Sequence, residues 1–516
     1  MEDQPHDRKS ATALPRLILI EPSIEGRTGH HLEYALHVLR AAAEAGYEPL
    51  LATNRRFPGD SDVPFATCRQ YKYSFWSQPL VSGLGPMRWL YGRLRRLSAA
   101  VTRSRRTQSH CVESGRSETA SYDARPGLIR RLAGCWRGCL ADPLRVRQFA
   151  RDTESLIRQI GLRTDDLFFL PGAGEIELEG LARSFARRRV AASATWHLLF
   201  RRDPPSPDAS GGLHARLLRA LRRIEPEYRA GRVRLYTDTD DLSREYERLG
   251  CVGDVLSRRT QSHCIESGRS ETASYGRVHF RTLPIPHTDS GPIAPRVEET
   301  GTGTSPNTTT IAALPLGSEP VPVPSRPLHV LYLGDARREK GYHHLPRIVA
   351  DLWDDCLAAG RITMTIQSNP ALTDDEPAIA AARERLRSYA SSAITLVDEP
   401  LSSAAYRRLL HSGDLILLPY DPQAYRWRSS GILVEALAAG IPAIVPAETW
   451  LARQLLVDVG AVYHDVWEIP ALIRRIVGDY GRYVQASQAF APGWRAKHNA
   501  ASLVQMLARG FGIDTS

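Results

Sequence analysis

Apolar positions along the 516-residue chain fall into short unbroken runs that alternate with helical stripes. Arg16–Ile20 is such a run, and unbroken apolar runs of this length suit strands buried on both faces. Pro22, Gly26 and Gly29 interrupt the chain after it. Leu32, Ala35, Leu36 and Leu39 then recur at helical spacing until Gly46, a residue suited to the position just past a helix end. Glu48–Ala52 resumes as a strand. Strand, helix, strand demands a parallel sheet with helices on its faces. Further strands are predicted at Asp166–Leu170, Val190–Trp196 and Val233–Thr237, and a second series at Leu328–Leu333, Ile362–Gln367, Ala393–Val397, Asp414–Pro419 and Pro442–Pro446. The fold class is therefore α/β, with two Rossmann-like parallel-sheet domains facing a cleft.

Between the two series, residues 288–326 contain 22 Pro, Gly, Ser or Thr among 39 and show no periodicity, the composition of a linker. This divides the chain into an N-terminal domain (1–287), the linker, a C-terminal domain (327–485) and a C-terminal helix (486–516) expected to pack back on the first domain. Ser104–Tyr122 and Ser257–Tyr275 match at 18 of 19 positions with unrelated flanks. That is too short for a structural repeat, and each copy reads as a polar inserted loop. His110, Cys111, His263 and Cys264 in these copies lack zinc-ligand spacing.

Seven cysteines, a polar first stretch and no run of 18 apolar residues predict a cytoplasmic chain without secretory signal or membrane span. The formal charge of +10 is concentrated: residues 85–151 hold fifteen arginines against four acids. Arginine there interleaves with Trp89, Leu90, Leu94, Leu132 and Trp136, which suits either a solvated helix face or an anionic membrane surface at the inner face of a membrane. No nucleic-acid motif accompanies the charge, so a nucleic-acid partner is not expected.

Two segments carry chemistry. LYLGDARREKG, Leu331–Gly341, is a strand running into a glycine turn with Arg337 and Lys340, and a helix is expected to start near Gly341. Free backbone N–H groups, a fork-shaped Arg and a compact Lys suit a diphosphate. DLILLPYDPQAYRWRSSGILVEALAAGIPAIVP, Asp414–Pro446, is a buried strand, a polar loop and a helix opening at Ser430 and Gly431. Its first turns carry Glu435, a carboxylate able to accept two hydrogen bonds from a ribose diol. Asp238-Thr239-Asp240 follows a predicted strand and precedes a helical run, where helix capping explains it better than a metal site. No GxSxG, HExxH or CxxC pattern occurs.

These two segments resemble the C-terminal half of GT-B glycosyltransferases, in particular the family 4-like group. The resemblance implies a hexosyltransferase that uses a nucleoside-diphosphate sugar, needs neither cofactor nor metal, and retains the anomeric configuration. Arg337 and Lys340 would take the donor diphosphate, with Ser430 and Gly431 at the second helix start and Glu435 on the ribose. The acceptor would be a glycan or lipid-linked hydroxyl in cell-envelope or exopolysaccharide synthesis. In the N-terminal half, Gly29 and His30 would lie by the donor in the first turn, and His197, expected at the end of a strand, would be the cleft histidine, with His30 beside it in the chemistry. Two positions depart from the family. Asp335 stands where an arginine is usual, and Trp427 where an acid contacts the donor sugar. The second departure leaves open a non-catalytic protein of the same fold that binds a glycan or partner.

Overall fold

The computed structural model describes residues 14–26, 30–59, 63–74, 142–187, 194–206, 212–249, 278–287, 326–369 and 376–509. The predicted linker except Arg326, both copies of the repeated segment with their His-Cys pairs, and residues 85–141 of the basic segment lie outside them. The first domain is a seven-stranded sheet. Its strands are β1 (Arg16–Glu21), β2 (Glu48–Asn54), β3 (Ala66–Tyr71), β4 (Leu167–Ala173), β5 (Thr195–Phe200), β6 (Val233–Thr237) and β7 (Phe280–Thr282). They lie in the order β3-β2-β1-β4-β5-β6-β7 and every pair is parallel.

The helices are α1 (His30–Glu44), α2 (Asp142–Ile160), α3 (Glu175–Ala186), α4 (Leu213–Arg229) and α5 (240–249). Strand alternation sorts the core into two layers. Ile18, Ile20, Phe168, Leu170, Trp196 and Leu198 pack under α2, α3 and α4, while Leu17, Leu19, Phe169 and Leu199 pack under α1. All six residues of β1 are buried, as its unbroken apolar run requires. Its first residue, Arg16, is buried by a two-point bond to Asp166 at 2.8 and 2.6 Å.

The second domain has six parallel strands, β8 (Leu328–Tyr332), β9 (Ile362–Gln367), β10 (Ile394–Val397), β11 (Leu415–Leu417), β12 (Ala443–Pro446) and β13 (Gly460–Tyr463), ordered β10-β9-β8-β11-β12-β13. Its helices are α6 (Leu345–Asp351), α7 (Pro377–Arg387), α8 (Ser403–Ser412), α9 (Gly431–Ala438), α10 (Trp450–Gln454), α11 (Ile469–Gly478) and α12 (Tyr480–Lys497). In both sheets the strand order reverses direction beside the first strand, which opens a crevice at the carboxyl ends of the strands.

The chain returns to the first domain at its end. Trp494 in α12 donates to the Val434 carbonyl in the second domain at 3.0 Å. A turn later His498 accepts from the Ile285 N–H through Nδ1 at 3.2 Å, and its carbonyl takes the His287 N–H at 3.1 Å. Helix α13 (Ala500–Ala508) then buries Leu503, Val504 and Leu507 with the residues of α1. Among the described residues no helix is long and apolar enough to cross a membrane.

Two expectations are corrected. The run read as Val190–Trp196 is a strand over Thr195–Phe200, so His197 lies mid-strand, three residues before the carboxyl end. The apolar LLF that follows it is what extends the strand. The helix expected near Gly341 begins at Leu345, because two 3₁₀ turns, Arg338–Lys340 and Tyr342–His344, intervene. Strands β3, β7 and β13 were not legible: β3 is mostly exposed at a sheet edge, and the other two span three and four residues.

Candidate functional site

The turn after β8 folds tightly around Lys340. Gly334 has φ +102°, and a Cβ there would lie 2.3 Å from Lys340 Nζ and 3.2 Å from Ile432 Cδ1. The absence of a side chain therefore lets the ammonium lie against the strand end and sets it beside the first turn of α9. Gly341, at φ +72°, is held more severely: a Cβ would be 1.7 Å from the Pro419 carbonyl oxygen after β11. No other residue fits that crossing.

Helix α9 opens at Ser430, whose hydroxyl accepts from the Leu433 N–H at 3.3 Å. A Cβ on Gly431 would meet nothing within 4 Å, so the start of this helix faces open space. Tyr420 hydrogen-bonds Ser430 and feels the Arg337 charge. Lys340, Arg337, Ser430 and Gly431 thus come together at one mouth. Glu435, one turn further on, is half-buried and bonded to the Tyr406 hydroxyl, which burial and that carboxylate push well above its ordinary pKa.

The cations at this mouth are already paired. Asp335 lies 3.4 Å from Lys340 Nζ and 3.2 Å from Arg337 Nε, and Glu339 takes Arg337 Nη1 at 2.9 Å. Burial lowers the Lys340 pKa, with Asp335 the largest opposing influence. Burial would raise the Asp335 carboxyl, but Lys340 and Arg337 outweigh it and hold it below the usual range. The residue that departs from the family pattern is therefore in contact with both cations assigned to the diphosphate.

Across the cleft, the ends of β1, β5 and β6 bring Glu21, Arg201, Asp203 and Asp238 together with Tyr34 from α1. His31 Nδ1 contacts Glu21 Oε2 at 3.4 Å. Gly29 lies outside the described residues, and so does the side chain of His30, the first residue of α1. His197 is placed elsewhere. It is 1% exposed, its Nδ1 is 3.1 Å from the Tyr236 hydroxyl, and burial pushes its pKa down to about 3. It faces the layer under α1 rather than the cleft, because its neighbours Trp196 and Leu198 face the opposite layer.

The 427–430 segment joins the two walls. Trp427 packs against the core of the first domain, and its carbonyl accepts from Thr239 Oγ1 at 2.6 Å. Arg428 donates to Asp203 at 2.7 Å, and Ser429 to Asp238 at 2.5 Å. Burial raises the carboxyls of both Asp203 and Asp238. Within the DTD triplet, Asp238 turns to Ser429 and Asp240 accepts from Thr282, so the two carboxylates do not converge. The function of Asp238 at the clamp was not visible in sequence, since its partner Ser429 is 191 residues away.

No protein-family model matches the chain, and no curated protein matches it. Solved structures of similar fold include a trehalose-6-phosphate synthase, at TM-score 0.53 and 13% identity over 96% of this chain and 99% of that one. A sucrose-phosphate synthase from Thermosynechococcus elongatus gives 0.52 and 13% over 95% and 97%. A UDP-forming trehalose-phosphate synthase from Burkholderia xenovorans gives 0.51 and 13% over 97% and 100%. These are glycosyltransferases of the GT-B fold. The chain has that fold, two Rossmann-like domains with a cleft between their strand ends.

Proposed function

We propose that the chain is a glycosyltransferase that moves a hexosyl unit from a nucleoside-diphosphate sugar to a hydroxyl of a glycan or lipid-linked acceptor, with retention, in cell-envelope or exopolysaccharide synthesis. The observation that carries this reading is the juxtaposition of buried Lys340, resting over Gly334, with the open start of α9. A cation and a helix N-terminus aimed at one point stabilise the negative charge that builds on a leaving diphosphate. Arg337 adds a planar fork, and Glu435 offers acceptors for a ribose diol. No metal is required in this reading, since the cations and helix start supply the positive charge. The solved structures of similar fold support it by name, including one from E. coli bound with UDP-2-fluoro glucose.

Calorimetric titration with a panel of nucleoside diphosphates, uridine diphosphate first, tests the donor site. Selective binding that falls about tenfold or more in Lys340→Ala and in Glu435→Ala is expected, since each loses a charged hydrogen-bonding partner. No binding of any member by folded protein overturns the reading. It would favour the second one, a non-catalytic glycan or partner binder, for which the placement of Trp427 against the other domain speaks. The arginine-rich 85–151 segment supports a cytoplasmic protein held at an anionic membrane surface. Co-sedimentation with vesicles containing phosphatidylglycerol, and none with neutral ones, is the expected result.

A further inference from the structure

The cleft wall facing the donor mouth holds buried polar atoms that the protein does not pair. Asp238 is 4% exposed; Oδ2 accepts from Ser429, while Oδ1 is buried without a hydrogen-bond partner. Arg201 lies 4.3 Å over the Tyr34 ring with its Nε 4.0 Å from Asp238 Oδ2, and its Nε and Nη2 are buried without hydrogen bonds. The Tyr34 hydroxyl is buried beside them and makes no hydrogen bond of ordinary geometry. Asp203 gives one oxygen to Arg428, and its other oxygen is buried and unpaired.

Each buried polar atom left unpaired costs about 1–3 kcal/mol, so a cluster of them at a cleft marks a place that a ligand completes. The kinds of atom identify the ligand. Arg201 can only donate, Asp203 and Asp238 when ionised can only accept, and Tyr34 can do either. A phosphate or carboxylate only accepts: it would suit Arg201 and Tyr34 but face two carboxylate oxygens. An ammonium only donates, and would face the guanidinium. A hydroxyl both donates and accepts, and adjacent ring hydroxyls satisfy the whole set.

We propose that Asp238, Arg201, Tyr34 and Asp203 form the acceptor subsite and that it takes an uncharged sugar ring, not a sugar phosphate. Ring hydroxyls donate to Asp238 Oδ1 and Asp203 Oδ1 and accept from Arg201 and Tyr34. This rests on the transferase reading and adds to it the chemistry of the acceptor.

The test is sugar binding by the full chain, read by saturation-transfer NMR with and without uridine diphosphate. The probes are glucose, galactose, mannose and N-acetylglucosamine, against glucose 6-phosphate and inorganic phosphate. At least one neutral sugar should bind, and Asp238→Asn should weaken it about tenfold while inorganic phosphate fails to compete. Tyr34→Phe keeps the ring under Arg201 and removes only a hydroxyl that makes no hydrogen bond of ordinary geometry, so the fold is kept, and it should weaken the same sugar about threefold to tenfold. The proposal is overturned if no neutral sugar binds, or if both variants bind it as the wild type does. It is equally overturned if phosphate or glucose 6-phosphate outcompetes the sugar and binds more tightly to Asp238→Asn. Uridine diphosphate binding, measured separately, distinguishes failure of the donor reading, since sugar titration without nucleotide remains readable.

Discussion

Replacing Asp335 by Asn removes a carboxylate 3.4 Å from Lys340 Nζ and 3.2 Å from Arg337 Nε, and leaves the side-chain shape unchanged. A diphosphate seated on those cations would come within roughly 6 Å of that carboxylate, where two unit charges repel by about 3 kcal/mol at an effective dielectric of about 20. The Asp335 side chain is 38% exposed, so solvent screening reduces this to about 1–1.5 kcal/mol. Uridine diphosphate should then bind Asp335→Asn about tenfold more tightly than wild type at pH 7. Lys340→Ala should move it the other way. The gain has a pH limit, because Asp335 is the largest influence holding up a lysine that burial lowers. Without it Lys340 loses its proton at lower pH, and the advantage should shrink as pH rises. Calorimetric titration of the three proteins at several pH values reads both effects. Unchanged or weaker binding by Asp335→Asn at pH 7 would refute the idea that these cations receive a diphosphate.

Three further outcomes concern the fold. Gly341→Ala places a Cβ 1.7 Å from the Pro419 carbonyl oxygen at φ +72° and should lower stability by about 3 kcal/mol or more, read as a shift in the urea midpoint; a loss below about 1 kcal/mol would contradict the crossing described. Arg16→Ala leaves the fully buried Asp166 carboxylate without its cationic partner, with only the Arg163 N–H bond remaining, and should cost about 3–5 kcal/mol by the same measurement. Burial pushes His498 down from its ordinary 6.5 to about 4, and its Nδ1 must stay unprotonated to accept from Ile285. The unfolded chain therefore takes up a proton that the folded ring refuses. Its contribution is complete above about pH 6.5 and is lost as pH falls toward 4, on the order of 2–3 kcal/mol. His498→Asn, which keeps an acceptor and does not titrate, should flatten stability over that window; an unchanged slope would count against the assignment.

The α/β reading was legible because strands of a covered parallel sheet repeat apolar residues at short spacing: Leu17–Ile20 is unbroken, and Val233, Leu235 and then Ile362, Met364, Ile366 recur at every second position. Edge strand β3, with its solvated face, lacks that signal. His197 shows how a strand end misleads: a polar residue among apolar ones looks like a terminus, but here it takes a hydrogen bond inside the sheet with Tyr236. That Arg337 and Lys340 share a turn, and that Ser430 and Gly431 open a helix carrying Glu435, was legible in sequence because turn and helix-start chemistry is local.

By itself the sequence determined what short-range physics encodes: where most strands and helices form, and which cations stand in the glycine turn after β8. Tertiary structure alone decided which of these groups face each other. Asp335 becomes the counter-charge of Lys340 and Arg337 only through the curl of the turn, and Asp238 reaches Ser429 only when the strand-end loops of the two domains meet. Such pairings depend on the burial and separation of groups up to 225 residues apart, which no local pattern of side chains contains.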